Sequence, residues 1–78
     1  MKCFVAILED RHIDTEVVVF LDASKAIQWA KKAATEGSRG GEIEEHLTDA
    51  MVRDGWVYNC VYSCEGDAVR VVAKQVNE

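Results

Sequence analysis

Two short stretches concentrate the residue types that do chemistry. The segment "DRHID", Asp10–Asp14, sets a guanidinium, an imidazole and two carboxylates close together. The segment "GWVYNCVYSCEGD", Gly55–Asp67, carries Trp56, Tyr58 and Tyr62 and then Glu65 and Asp67 around a glycine. Arginine presents a planar fork suited to phosphate or carboxylate. Aromatic rings offer stacking surfaces for a base or a partner side chain. The candidate ligand-binding set is therefore Arg11, His12, Asp14, Trp56, Tyr58, Tyr62, Glu65 and Asp67. A structural reading competes with it: Arg11 pairs with Asp10 or Asp14 to brace a long loop, and the aromatic row packs the core. Long loops on rigid scaffolds are where binding sites concentrate.

Catalysis finds less support. A nucleophile needs a positioned base beside it, and nothing in the chain obliges His12 to meet Cys64. The acid pairs Glu9/Asp10 and Glu65/Asp67 fall in loops, where solvated carboxylates are the rule. A non-enzymatic protein is expected. Metal ligation is not expected either. Cys60 and Cys64 would stand roughly 13 Å apart on a strand, Cys3 is remote, and His12 and His46 stand alone. Paired cysteine spacing is what structural zinc sites use. No cofactor is implied. His46 reads as a helix-surface residue, Trp29 as core, and Lys31–Lys32 as a solvated face.

The whole chain sets the frame. Its 78 residues make one domain, 1–78, with 49% hydrophobic residues and a net charge of −5, which argues against disorder and against nonspecific nucleic-acid binding. No apolar run approaches the roughly 18–20 residues of a membrane span. The opening "MKCFVAILED" reads as a strand and not as a signal peptide. Three cysteines without a framework spacing point to reduced thiols in a cytoplasm.

The elements that must position these residues follow from periodicity. Lys2–Leu8 is apolar on both alternating faces, and Glu16–Leu21 is a second strand across the "DRHID" loop. Asp22 offers an N-cap. From Ala23 the period changes to about 3.6, with Ala26, Ile27, Ala30, Ala33 and Ala34 on one stripe and Gly37 as the stop. Ile43, Leu47, Ala50 and Met51 predict a short second helix over Glu42–Arg53. Trp56–Ser63 alternates, placing Trp56, Tyr58 and Tyr62 on one face. Cys64–Asp67 is a tight turn, and Ala68–Val76 is the last strand. The expected fold class is α+β: a four-stranded antiparallel sheet of two hairpins, order ββααββ, with helices on one face. An apolar uncovered face in so small a domain predicts homo-oligomers.

With both segments in view, the chain resembles a group of small accessory proteins of tailed phages and prophages. The resemblance rests on "EDRH", "DTEV", "GW" and "EGD" and covers Phe4–Phe20, Ala26–Ala30 and Gly55–Val72. It implies a protein working in the host bacterial cytoplasm. Many such proteins block host defence by occupying a host protein or by sequestering a nucleotide immune signal in an oligomer. The expectation is a counter-defence protein holding a small nucleotide-type signal in a pocket at a subunit interface. Arg11 and His12 would meet phosphate or ribose, and Trp56, Tyr58 or Tyr62 a base. The alternative is a protein-binding inhibitor of a host protein. The acids are interspersed with Lys and Arg, which speaks against a nucleic-acid mimic.

Overall fold

The strand β1, Lys2–Glu9, lies inside the sheet because it is apolar on both faces. It pairs antiparallel with β2, Glu16–Phe20, on one side and with β5, Ala68–Gln75, on the other. The computed structural model describes residues 1–77. Beyond β5 come β4, Trp56–Val61, and a two-residue β3, Glu44–Glu45, giving a five-stranded antiparallel sheet in the order β2-β1-β5-β4-β3. The chain is α+β, with helices α1, Ala23–Ser38, and α2, Asp49–Arg53.

Helix α1 starts at Asp22, whose carboxylate accepts from the Ser24 backbone N–H at 2.8 Å. Its buried stripe is Ala26, Ala30 and Ala34. With no side chain beyond a methyl, these residues let the helix axis settle close to the sheet. It covers the face made by Phe4, Ala6 and Leu8 of β1, Val69 and Val71 of β5, and Tyr58 and Cys60 of β4. Fully buried Val69, Val71 and Cys60 sit at the centre of this core.

Several features differ from the sequence expectation. The sheet has five strands and not four, and the order of elements is ββαβαββ. The helix expected over Glu42–Arg53 is instead β3, a connection, and a one-turn α2 capped by Thr48, whose hydroxyl accepts from the Met51 N–H at 3.1 Å. Glu44 and Glu45 pair with Val61 and Cys60, which satisfies backbone that a helix would otherwise have to pair. Ile43 and Leu47 remain exposed, so the apolar spacing that suggested a helix covers nothing. Helix α2 buries no residue and packs beside β4 alone, leaving α1 to cover the sheet face.

Gly37 does not stop α1. The helix runs through it to Ser38 and ends at Arg39, which takes the left-handed conformation at φ 53°. That position usually belongs to glycine.

The aromatic row is split by a β-bulge between Trp56 and Tyr58. Trp56 pairs with Val72 and Tyr58 with Val71, and successive residues of β5 face opposite ways. Trp56 therefore lies on the uncovered face, where the Arg70 guanidinium stands 5.2 Å from its ring. Arg70 also pairs with Glu9. Val5, Ile7, Val17 and Val19 share this uncovered face, with Val17 and Val19 57% and 61% exposed.

Candidate functional site

The β1–β2 loop and the β4–β5 turn meet at one end of the sheet, although they lie far apart in sequence. The Arg11 backbone N–H donates to Asp67 Oδ1 at 3.0 Å. The Tyr62 hydroxyl donates to Asp10 Oδ2. Arg11 Nη1 and His12 Nε2 approach the same oxygen, Glu65 Oε2, at 3.6 and 3.5 Å. Each segment is also braced from within. Asp10 Oδ1 accepts from the His12 N–H at 2.9 Å, a local side-chain turn that Asp favours. In the β4–β5 turn, Ser63 Oγ donates to Asp67 Oδ2 at 2.9 Å and accepts from the Glu65 and Asp67 N–H groups. Gly66 takes φ 92° there, a value that a β-branched or bulky residue would adopt only under strain.

Between this junction and the C-terminal half of α1 lies a cleft of about 910 Å³. Its apolar wall is Leu8, Ile13, Trp29 and Ala33. Its acids are Asp10, Glu16, Glu36, Glu65 and Asp67, and its basic side chains are His12, Lys32 and Arg39. Gly37 completes the wall against Tyr62: a Cβ there would stand 2.4 Å from the ring's Cε1. A helix interior disfavours glycine by about 1 kcal/mol relative to alanine, so this position is set by the approach of the ring.

The electrostatics follow the bonds. The Tyr62 hydroxyl, and after it the His12 N–H, hold the Asp10 carboxyl below the usual carboxylate range. Burial, and then the hydrogen bond to Asp10 and its charge, push the Tyr62 hydroxyl up. The proton stays on tyrosine and the charge on aspartate. Asp67 is only 5% exposed, and its two oxygens meet neutral donors, a backbone amide and a hydroxyl.

No family model, no curated protein and no solved structure matches this chain.

What the cleft can hold follows from its lining. Of the residues expected from sequence, His12, Tyr62, Glu65 and Asp67 line it. Arg11 stands at its rim, exposed and facing Glu65. Asp14 is exposed on the loop and outside the lining. Tyr58 is a core residue, 8% exposed beneath α1, with its hydroxyl unpartnered among the described residues and its proton held first by burial. Trp56 is on the other face of the sheet. The convergence therefore joins the loop to the end of the aromatic strand and leaves its beginning out.

Sequence reasoning passed over Asp10, Trp29, Lys32 and Arg39 as cleft residues. Trp29 and Lys32 sit three apart on α1, which is one helical face, and that spacing was the available signal. Arg39 carries no local signal, because its place depends on where the helix ends.

Proposed function

We propose that this chain is a non-enzymatic accessory protein of the phage group it resembles, acting in the host cytoplasm against a host defence. Its cleft binds and sequesters a small nucleotide-type signal. The observation that supports this reading is the closing of two remote polar segments on one cleft that has both a planar aromatic wall and cationic side chains. A base packs on the apolar wall at Trp29, in the role first expected of Trp56 and Tyr58. Phosphate or ribose meets Lys32, Arg39 and His12, with Arg11 at the rim. Small-ligand sites are typically concave, largely apolar and furnished with a few placed polar groups.

A second reading has its own observation. Five carboxylates line the cleft against Lys32, Arg39 and His12, an excess that suits a basic segment of a host protein and makes the chain a protein-binding inhibitor. Melting the protein with a panel of linear and cyclic nucleotides separates the two. A nucleotide that raises the melting temperature in a saturable way supports sequestration, whereas an unmoved melt across the panel favours the inhibitor.

A further inference from the structure

We propose that Asp10, His12 and Asp67 form a binding site for a divalent first-row cation, Mn²⁺ or Zn²⁺, on the wall of the cleft. This inference stands without the nucleotide reading.

Three observations carry it. One ligand atom from each of Asp10, His12 and Asp67 lies within 4.8 Å of the others, so small side-chain shifts bring all three onto one ion. The donor set is mixed, two carboxylate oxygens and one ring nitrogen. Imidazole suits zinc and iron while carboxylate and water suit manganese, which separates this set from the all-oxygen cages of calcium. The third observation is electrostatic. Asp67 is buried to 5% exposure, and neither Asp10 nor Asp67 is ion-paired with a cationic side chain among the described residues. Buried charges are ordinarily paired or coordinate metals. Asp67 is held by neutral donors alone, and a divalent cation between it and Asp10 supplies the charge it lacks.

The neutral donors leave room for the ion. Asp67 accepts one hydrogen bond at each oxygen, from Arg11 N and Ser63 Oγ, and Asp10 likewise from His12 N and Tyr62 Oη. A carboxylate oxygen offers a second lone pair for a metal. These bonds fix both carboxylates in place, as outer-shell partners do at metal centres. Glu65 Oε2 lies 3.5 Å from His12 Nε2, and water completes the set. No local spacing announced this site, because Asp67 reaches Asp10 and His12 only through the fold. The cation would also give an acidic cleft the positive charge that an anionic ligand needs.

The chain holds two histidines, which makes nuclear magnetic resonance a direct test. Mn²⁺ alone is titrated into chelator-treated, nucleotide-free protein, and the ring protons of both are followed. His12 should broaden at substoichiometric Mn²⁺ while His46, which follows β3 outside the cleft, stays sharp. Calorimetry with Zn²⁺ should give one equivalent. His12→Ala, exposed and free of packing duties, should abolish that binding at an unchanged melt. Ser63→Ala, which loosens Asp67, should weaken it about tenfold or more. If both histidines broaden together, or if Zn²⁺ binding survives His12→Ala unchanged, the site is not where it is placed. If neither cation binds, the proposal is wrong. None of these readouts depends on a nucleotide.

Discussion

The Tyr62 hydroxyl donates to the Asp10 carboxylate across 52 residues of chain, and its ring lies against the bare backbone of Gly37 on α1. One side chain thus ties the β1–β2 loop, the end of β4 and the helix together. Gly37→Ala gains about 1 kcal/mol of helix propensity. It also pushes a Cβ to 2.4 Å from a packed ring, and overpacking costs about 1–3 kcal/mol. The ring can move away only by pulling on the hydrogen bond that its hydroxyl makes to Asp10. The melt should fall and the near-ultraviolet tyrosine signal should change. A higher melt for Gly37→Ala would mean that the ring does not need this approach.

Tyr58 offers the opposite case. Its hydroxyl is buried without a hydrogen bond of normal geometry among the described residues, although the Glu45 carboxylate and the Cys60 thiol lie near it. Tyr58→Phe removes an unsatisfied polar group and should stabilise by about 1 kcal/mol, raising the melting temperature by roughly 4–8 °C in a domain of this size. Ligand binding should not change, since Tyr58 is outside the cleft. A drop in stability would reveal a partner for the hydroxyl.

How much of this was legible in the sequence divides by range. The strands β1, β2, β4 and β5, the helix α1 and its Asp22 cap follow from short apolar runs, alternation and a 3.6 period, because each is set by neighbours within a few residues. β3 was not legible: two glutamates pair with Val61 and Cys60, a partner choice that no local pattern encodes. The bulge at Trp56 was hidden for the same reason, although Gly55 at φ 92° marks the irregularity in hindsight. The residues of the "DRHID" and "EGD" segments were picked out by type, but their convergence depends on β1 and β5 lying side by side. Arg39 and Trp29 joined the site only once α1 was docked.

The three thiols should react in an order set by burial. Cys64 is exposed, Cys3 half-buried and Cys60 buried. Burial is the leading cause that raises the Cys60 thiol above its ordinary 9.0. A raised value means that the native state holds this proton more tightly than the unfolded chain. Its contribution to stability is complete below about pH 9 and declines as pH rises further. Alkylation followed by mass spectrometry should modify Cys64 first and Cys60 only on unfolding. Early modification of Cys60 would contradict the packing of β4 under α1.

Self-association should use the uncovered face. Val17 and Val19, 57% and 61% exposed, extend the half-buried Val5 and Ile7 into an apolar strip running to the β2 edge, and such strips favour contact with another chain. The cleft is on the helix side and stays open. Light scattering at micromolar concentration should give a mass above one chain, and Val17→Lys with Val19→Lys should return it to one. A monomer in the unaltered protein would remove this interface.

The central claim is that the cleft sequesters a nucleotide-type ligand, and the most direct test is mass spectrometry of small molecules released by heat. The protein is exposed to lysate of phage-infected cells, washed and denatured, beside an Arg39→Gly variant. Glycine relieves a left-handed conformation that costs a non-glycine residue roughly 1–2 kcal/mol, so the variant keeps its fold while losing a cationic side chain of the cleft. The unaltered protein should release a nucleotide-class molecule near one per chain, and Arg39→Gly should release little or none. Release of no nucleotide, or equal release from both proteins, would contradict the claim.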